Sequence, residues 1–559
     1  MEKIFGLIAV AVSLFGYISF LTHREHKPEI SLGITFSLIG SVMFLAGIAG
    51  ILQAGAVALC AGGWMAFFSE LKNRRIGFIR SAGFIFFLAV SVYLLAVHYN
   101  SRFWAYDNFS HWAEATKVLI RYGRFPTAED TNIQFVSYPP GSAAFIYFFT
   151  YISGISAEWF QAWIQAVLTL GMFTGICALA KNKAGHICAM ICVMILLCSN
   201  TAPWDLLVDT LLPAVAVSGY ALIRAEKLPK KGDRYLLIPY LIFLTSIKNS
   251  GLFFAAVLIV YDAVFHPSCR RRYAVLFGAS VLLALGIWKL HVAAVFPEGE
   301  TSVHAFSLVN YQGVFSGKTH EEILNTWNAW LKKEFSVENR GLLLPILLLV
   351  RPMSALLFRD GAETRKRLFR TAGIHCAVLA IYAVGLLLMY LFSMKGDASG
   401  LGGYDRYHRT INAFIVGICF ADFLREPWGA NIRGILTALL LLALSWLSIL
   451  PYPEYLWKQD TNNSRYLLDS MIESYQVPKG KRYLLLQDDD RGKLMYIGRY
   501  LLDSRDVTVR KTNIIHRLDF SNYDYLIILQ PSDRTRKYTE TNFHSTDPVI
   551  RLVVPSAAE

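Results

Sequence analysis

Long apolar runs separated by short polar stretches dominate the chain up to residue 451. A transmembrane helix needs about 20 consecutive apolar residues to cross the hydrocarbon core of a bilayer. With that length as a guide, about fourteen segments are predicted to be membrane spans. They are residues 4–21, 30–51, 55–71, 77–98, 157–180, 185–199, 204–224, 235–248, 250–266, 273–296, 341–358, 372–394, 408–424 and 432–451.

Basic residues indicate how these segments are oriented. The richest clusters of Lys and Arg are residues 72–75, 224–234, 270–272 and 359–370. Short loops rich in Lys and Arg stay in the cytoplasm, and all four clusters fall on one side only if the short run 142–154 does not cross. Because this run is short and follows "YPPG", we expect it to form a re-entrant or interfacial helix. Both termini are then expected outside the cytoplasm.

After residue 451 the chain becomes polar throughout. Short apolar runs at 483–486, 507–509 and 525–529 predict β-strands, and residues 492–502 predict a helix. The fold class is therefore a polytopic α-helical membrane protein with a small C-terminal α/β domain. Asp488, Asp489 and Asp490 follow the first strand, where a solvated acidic turn is a better interpretation than a metal site.

These patterns divide the chain into a transmembrane domain, residues 1–451, and a soluble extracytoplasmic domain, residues 452–559. Two outer loops are large, 99–156 and 297–340. The second loop mixes aromatic and polar side chains that could contact sugars, but an amphipathic surface helix around 320–333 explains them equally well. Its chemically notable residues are His304, His320, Glu321, Glu322, Trp327 and Trp330.

Composition excludes an ordinary soluble enzyme, since 54% of the residues are hydrophobic and 17% are charged. The net charge of +13 could indicate nucleic-acid binding. However, the basic residues are concentrated in short loops between apolar runs, as expected from membrane topology. We therefore expect the lipid bilayer to be a partner and expect no nucleic acid.

The stretch "YDNFSHWAEATKVLIRYGRFP", residues 106–126, combines acidic, imidazole and indole groups in the first outer loop. Its apolar residues recur at helical spacing, which predicts an amphipathic helix at the outer membrane surface. Asp107 or Asn108 can cap its start and Gly123 can end it. His111 and Glu114 follow on its polar side. From this stretch alone, Asp107 is equally well explained as a helix cap or a catalytic residue.

Other charged residues are predicted on the same outer face. Asp205 and Asp209 are four residues apart, so we expect them on one face of a helix at the outer end of a span. Lys248 interrupts an apolar hairpin and needs either a partner or access to the membrane edge. The glycine-rich stretch "SGLGGYDRYHRT" places Arg406 and Tyr407 at the start of another span. Arg406 suits a phosphate, although an ion pair with Asp405 or Asp209 would also explain it.

The chain resembles the GT-C superfamily of integral membrane glycosyltransferases, which includes protein mannosyltransferases and aminoarabinose transferases. The residues that carry the resemblance are Asp107 in the first large outer loop, the following "SYPPGSAAFIYFF", and the pair Asp205 and Asp209 after a short outer turn. A soluble domain after the last span completes the pattern. Many members have Asp-Glu where this chain has Asp107-Asn108.

The resemblance implies transfer of a sugar from a polyprenyl-phosphate or polyprenyl-diphosphate donor to an extracytoplasmic acceptor, with Asp107 at the reactive centre. Asp107 is the candidate base that activates the acceptor hydroxyl, with His111 second. Cations stabilise a phosphate leaving group. The candidate substrate-binding residues are Lys248, Arg406, Tyr407, Asp205, Asp209, Tyr138 and Arg102. No cofactor is assigned, and a divalent cation held by Asp107 with Asp205 or Asp209 stays open.

Two alternatives remain at this point: an O-antigen-type polymerase or ligase, and a transporter or flippase of lipid-linked glycans. The Asp-bearing helix in the first loop favours the glycosyltransferase. We expect a multi-pass protein of a bacterial plasma membrane that acts in cell-envelope glycan synthesis, with its site on the extracytoplasmic face.

Overall fold

The chain divides into two compact units in a computed structural model. The first unit comprises Met1–Ser101, Leu119–Phe125 and Phe135–Trp457, and the second comprises Arg102–Val118, Pro126–Gln134 and Lys458–Glu559. The loop predicted at 99–156 therefore contributes to both units. The structure describes residues 2–24, 26–73, 80–130, 132–225, 231–268, 270–296, 308–335, 341–394, 400–426, 432–458, 463–488, 490 and 492–552.

Helices make up nearly all of the first unit within the described ranges. In chain order they are α1 Glu2–His23, α2 Pro28–Ile48, α3 Leu52–Lys72, α4 Ala82–His98, α5 Ala113–Tyr122, α6 Gly141–Ser153, α7 Glu158–Thr174, α8 Lys183–Leu197, α9 Leu211–Arg224, α10 Leu237–Ile247, α11 Gly251–Phe265, α12 Arg270–Val295, α13 Leu308–Ser316, α14 His320–Phe335, α15 Leu343–Leu357, α16 Ala362–Phe392, α17 Tyr404–Arg425 and α18 Ile432–Ile449. The unit boundary falls within α5, after Val118.

Each of the predicted spans contains a helix, but the span count differs from the prediction. In the described part of the chain, seven helices are long and apolar enough to cross a membrane, against about fourteen expected. The others include seven apolar helices of 10–17 residues. At 1.5 Å per residue these reach about 15 to 26 Å, less than the roughly 30 Å of a hydrocarbon core. Apolar runs alone do not reveal where irregular backbone shortens a helix.

Burial separates central helices from peripheral ones. Almost every residue of α6 and α9 is buried, and α9 packs against α7, α10, α11 and α17. By contrast, α12 exposes large apolar side chains, among them Val275 at 72% and Leu282 at 68%. Apolar side chains displayed on the outside of a helical bundle are expected where lipid is the solvent. The protein is therefore a helical membrane protein.

The predicted non-spanning run 142–154 forms α6, which has 13 residues. Its burial on nearly every side indicates that protein surrounds it. A helix of this length is too short to cross a bilayer, which agrees with the sequence prediction.

A buried polar network joins four helices of the first unit. The Asp422 carboxylate of α17 accepts hydrogen bonds from the Tyr220 hydroxyl at 2.9 Å and the Arg224 Nε at 2.7 Å, both from α9. The His375 Nε2 of α16 lies 3.0 Å from the same carboxylate, and its Nδ1 lies 2.7 Å from the Tyr261 hydroxyl of α11. Because a buried carboxylate is costly without such partners, the network holds these helices in register.

The second unit contains a four-stranded sheet. Its strands are β1 Tyr483–Leu486, β2 Val507–Arg510, β3 Tyr525–Ile528 and β4 Val549–Arg551, in the order β2-β1-β3-β4. The first three pair in parallel and β4 is antiparallel to β3. Helices α19 Ser464–Ser474, α20 Leu494–Leu502 and α21 Asp533–Phe543 complete it. The three predicted strands and the predicted helix are confirmed, whereas β4, α19 and α21 were not anticipated.

The acidic turn after β1 has a structural role in its described residues. The Asp488 carboxylate accepts a hydrogen bond from the Thr512 backbone N–H at 2.9 Å. Asp490 accepts from the backbone N–H groups of Lys493 and Leu494, both at 2.9 Å, at the start of α20. Asp489 lies outside the described residues.

The helix predicted at 106–122 is present, as a π-helical turn at Asn108–Trp112 followed by α5. The prediction that His111 and Glu114 lie on an exposed polar side is wrong, because they are 2% and 6% exposed. Helix α20 packs against this segment, with the rings of Phe109 and Tyr500 5.2 Å apart. Residues distant in sequence therefore cover side chains that periodicity assigns to solvent.

Gly141 at the start of α6 allows a close approach to the end of α10. A Cβ atom at this position would lie 2.5 Å from the Ser246 carbonyl oxygen. We expect Gly141→Ala to lower the free energy of unfolding by about 1 to 3 kcal/mol, because the added atom forces backbone apart. Thermal unfolding of the detergent-solubilised protein measures the change.

Gly278→Ala in α12 is the matched control, since no described atom lies within 4 Å of the added Cβ. Alanine there should be neutral or slightly stabilising, by up to about 1 kcal/mol. Equal stability of the two variants would contradict close packing at Gly141.

Candidate functional site

A cavity of about 520 Å³ lies in the first unit beside the turn between α10 and α11. Four residues singled out from the sequence line it: Tyr138, Asp209, Lys248 and Tyr407. The rest of the wall is largely apolar and comes mainly from α16. Its apolar residues include Phe253, Ile381, Leu386, Leu388, Met389 and Phe392.

Lys248 occupies the break between two apolar helices. Its backbone is extended, with φ −161° and ψ 155°, so α10 ends at Ile247. The Lys248 carbonyl accepts a hydrogen bond from the Gly251 N–H at 2.8 Å, which closes a tight turn. A Cβ at Gly251 would collide with the Leu244 carbonyl, so glycine permits the chain to reverse here. The turn places the ammonium group in the cavity wall.

An ion pair forms the charged end of the cavity. The Lys248 Nζ lies 3.0 Å from the Asp209 Oδ1, and the Arg406 Nε lies 3.6 Å from the Asp209 Oδ2. Lys248 and Asp209 are 8% and 3% exposed. Lys248 and Arg406 favour the ionised form of the Asp209 carboxyl, because a buried carboxylate without a close cation would be costly. Asp209 is therefore ionised and satisfied by two cations.

The segment carrying Asp209 is not the helix that the sequence predicted. Residues 201–210 form an irregular connection, and α9 begins only at Leu211. The Thr210 hydroxyl accepts a hydrogen bond from the Thr201 N–H at 3.0 Å and lies 2.9 Å from the Thr201 hydroxyl. Because these bonds close a loop, Asp205 and Asp209 do not share a helix face. Such side-chain bonds compete with helical hydrogen bonding.

Helix α17 is joined to this connection by polar contacts. The Asn200 amide donates to the Arg406 carbonyl at 2.7 Å, and the Thr410 hydroxyl donates to the Asp209 carbonyl at 3.2 Å. Gly403 directly precedes α17 with φ +73°, a backbone conformation that glycine adopts without strain. Residues 395–399 of the preceding stretch lie outside the described residues.

Two predicted aromatic residues flank the ammonium group. The Lys248 Nζ lies 5.7 Å from the centre of the Tyr138 ring and 5.5 Å from that of Tyr407. These distances permit cation–π attraction. Burial raises the pKa of Tyr138 to about 12 despite the opposing effect of Lys248, so its hydroxyl keeps its proton at neutral pH.

Tyr382 of α16 is a cavity residue that sequence reasoning missed. Its hydroxyl donates to the Tyr407 carbonyl at 3.0 Å, and its ring lies 5.0 Å from that of Phe253. Tyr382, Gly385, Leu386 and Met389 recur at three- and four-residue intervals along α16 and all line the cavity. This spacing is visible in the sequence, but in a long apolar run the same spacing is also expected of residues that face lipid.

The remaining predicted residues lie elsewhere. Asp205 belongs to the first unit and is 4% exposed, but it does not line this cavity. Asp107, His111 and Arg102 belong to the second unit. Asp107 precedes the π-helical turn with helical backbone angles, φ −63° and ψ −17°, and makes no side-chain capping bond, so its interpretation as a helix cap is not supported. Its catalytic role stays a prediction.

Arg102 and His111 each have contacts within the second unit. The Arg102 Nε lies 3.7 Å from the Asp469 carboxylate, and its Nη2 lies 3.9 Å from that of Glu473. His111 packs edge-on against Trp112, with ring centres 4.6 Å apart. The predicted roles of Arg102 in donor binding and His111 as a second base stay predictions.

Two further expectations concern metals and the second outer loop. Among the described residues, no three His, Cys, Asp or Glu side chains gather as a metal site. The amphipathic helix expected around 320–333 is confirmed as α14. His304 lies outside the described residues.

The sequence matches no protein-family model, and no curated protein is significantly similar to it. The resemblance to GT-C glycosyltransferases therefore rests on the residues themselves.

Glu114 of α5 is a buried carboxyl in the second unit. Its nearest cation is the Lys117 Nζ at 3.9 Å, and that ammonium group also lies 3.1 Å from the Asp503 carboxylate. Burial raises the pKa of Glu114 from 4.5 to about 7, although Lys117 opposes the shift. Because Lys117 also pairs with Asp503, it only partly offsets the negative charge of an ionised Glu114.

A raised folded-state pKa favours the protonated carboxyl. The resulting stabilisation is complete below pH 4.5 and is lost as the pH rises through about 7. We expect Glu114→Gln to flatten the decline in thermal stability over that interval, by on the order of 3 kcal/mol. Thermal unfolding of both proteins from pH 4 to pH 8 in detergent tests this expectation.

Glu473→Gln is the control for this titration, because Glu473 lies on α19 of the same unit with a side chain 70% exposed. Its pH profile should match that of the unaltered protein. The assignment is wrong if Glu114→Gln and the unaltered protein lose stability in parallel.

Proposed function

We propose that the protein is a membrane glycosyltransferase that moves a sugar from a polyprenyl-phosphate donor to an extracytoplasmic acceptor. The observation that carries the proposal is the cavity with an apolar wall and the Lys248–Asp209–Arg406 cluster at one end. A polyprenyl-phosphate sugar has the same division between a long apolar chain and an anionic head. Isoprenoid units would contact Phe253, Leu386 and Met389, and the phosphate would contact the cluster.

The charge balance of the cluster supports binding of an anion. Two cations, Lys248 and Arg406, face one carboxylate, Asp209. Lys248 and Asp209 are 8% and 3% exposed, and electrostatic attraction is stronger in such a setting than in water. Arg406 offers a planar set of donors that matches phosphate oxygens, and Lys248 adds a compact charge.

The proposed reaction is a direct displacement at the anomeric carbon. The acceptor oxygen forms the new bond as the bond from the anomeric carbon to the phosphate oxygen breaks. The electron pair of that bond remains on the phosphate, where Lys248 and Arg406 stabilise the charge. The acceptor proton passes to a base, and the resemblance assigns this role to Asp107. The anomeric configuration inverts.

The finer architecture belongs to the same proposal. A GT-C-like arrangement of about fourteen membrane-embedded segments would combine the long spanning helices with the shorter apolar ones. The site would lie on the extracytoplasmic face of a bacterial plasma membrane, as the positive clusters indicate. Acceptors of this class are cell-envelope glycans, lipids or proteins.

A polymerase, a ligase or a flippase would also need to bind a lipid-linked phosphate. Asp107 in the first outer loop favours transfer, because a flippase breaks no bond and needs no base. Formation of free polyprenyl phosphate from the donor distinguishes transfer from transport.

The cavity cluster predicts opposite effects of two related variants on lipid binding. Asp209→Asn removes the competing carboxylate, so we expect polyprenyl phosphate to bind equally or more tightly. The double variant Asp209→Asn/Lys248→Met removes one cation without leaving a buried carboxylate unpaired. It should weaken binding on the order of tenfold, the typical contribution of a charge-assisted hydrogen bond. Binding to the detergent-solubilised protein is measured by calorimetry.

A neutral polyprenol serves as the control ligand, and its affinity should not differ among these variants. Arg482→Met/Asp524→Asn is the control protein, since it removes an ion pair of 2.9 Å on the second unit. Equal phosphate affinity in the two cavity variants would overturn the placement of phosphate at Lys248.

The proposed role of Asp107 as the base is tested by measuring the rate of sugar transfer. Asp107→Asn should leave donor binding intact and lower the transfer rate by a factor of about 100 or more, the usual contribution of a general base. Release of polyprenyl phosphate from a panel of polyprenyl-phosphate sugars in membranes gives the rate. Asp533→Asn, at the exposed first turn of α21, is the control. Undiminished turnover by Asp107→Asn would remove Asp107 as the base.

A further inference from the structure

A second pocket, of about 410 Å³, lies in the first unit on another side of α17. Its wall is polar, in contrast to that of the first cavity. Arg406 lies between the two sites, because it lines this pocket and contacts Asp209 of the cavity. Arg406 therefore links this pocket to the Asp209 carboxylate that lines the first cavity.

Positive charge prevails in the polar pocket. Lys333, Arg406 and Arg409 line it together with one carboxylate, that of Asp405. The Lys333 Nζ lies 2.8 Å from that carboxylate, whose side chain is 72% exposed. Arg406 is directed to Asp209. Arg409 is thus the cation that this arrangement leaves for a ligand.

The contacts of Arg409 hold its guanidinium in place without neutralising it. The group lies 4.6 Å from the centre of the Tyr452 ring, and its Nη1 lies 3.4 Å from the Leu450 carbonyl oxygen. Within the described ranges, no carboxylate oxygen lies within 4.0 Å of it. A planar guanidinium fixed on an aromatic ring retains donors for a carboxylate or a phosphate.

Uncharged groups of the pocket suit a hydroxyl-bearing ligand. Asn412 is 6% exposed, and its amide donates to the Ser448 carbonyl at 3.2 Å. Its Oδ1 accepts no hydrogen bond from any described residue. The rings of Tyr452 and Tyr455 lie 5.0 Å apart on the same wall and can pack against a sugar ring. A buried acceptor without a donor is costly, and a ligand hydroxyl that reached Oδ1 would offset that cost.

We propose that this pocket binds a saccharide that carries an anionic group, with Arg409 contacting the anion and Asn412 accepting a hydroxyl hydrogen. The anion is a carboxylate or a phosphate. That the saccharide is the acceptor of the transfer rests on the proposed function. The proposal that this pocket binds an anionic saccharide does not depend on the proposed function.

The test measures binding of three small probes to the full-length protein in detergent by calorimetry: glucuronate, glucose 6-phosphate and glucose. We expect at least one anionic sugar to bind about tenfold or more tightly than glucose, and the tighter of the two identifies the anion. Arg409→Gln should weaken that binding by about tenfold or more. Arg409→Lys retains the charge but not the planar fork and should lose less.

Arg24→Gln is the matched control, since Arg24 also lies over an aromatic ring, that of Phe20 at 4.5 Å, but outside both pockets. It should bind the anionic sugar normally. Equal binding of glucose, absence of binding by all three probes, or unchanged affinity in Arg409→Gln would each overturn the proposal.

The outcome is separable from that of the proposed function. Loss of anionic-sugar binding in Arg409→Gln while the lipid phosphate still binds supports the polar pocket alone. Failure of every cavity variant to alter lipid binding would refute the donor site and leave the polar pocket standing.

Discussion

The buried ion pair between Lys248 and Asp209 is the constraint on which the arrangement of the first unit depends. Removing two charges from water costs several kcal/mol per ion unless close partners compensate. The chain meets this requirement by interrupting helices: α10 ends at Lys248, and Asp209 lies in the connection before α9. Irregular backbone is tolerated at membrane depth where protein or a cavity surrounds it. The end of α10, the late start of α9 and the charged end of the cavity are therefore explained by the same ion pair.

The sequence predicted the apolar segments well because each is a continuous run, and a run of that kind has few alternatives to a helix. It predicted the lengths poorly, since the end of a helix depends on side-chain bonds such as that between Thr201 and Thr210. The convergence of Lys248, Asp209, Arg406 and Tyr407 was foreseen only as a shared membrane face. Their mutual distances depend on the packing of α9, α11 and α17, which periodicity does not contain. Tyr382 was missed for the same reason.

The second unit shows a different limit of sequence reasoning. The strands were identifiable because short β-branched and aliphatic runs stand out in a polar tail. The segment around Asp107 was identified as a helix, but its polar side was assigned to solvent, whereas Phe109 packs against Tyr500 and Glu114 is buried. The amphipathic pattern shows which residues prefer burial. Another element of the fold can still cover the polar residues. A buried carboxyl such as Glu114 then changes its pKa, which no local pattern reveals.

Arg406 connects the chemistry of the two pockets. In the cavity its guanidinium helps to neutralise Asp209, and in the polar pocket it adds to the positive charge around Arg409. An anion on either side would compete with Asp209 for the same donors. Arg406 is thus the cation through which the charge of the polar pocket acts on the Asp209 carboxylate of the cavity. Under the proposed function, two anionic substrates held close together would repel each other, and a cation between them would reduce that repulsion.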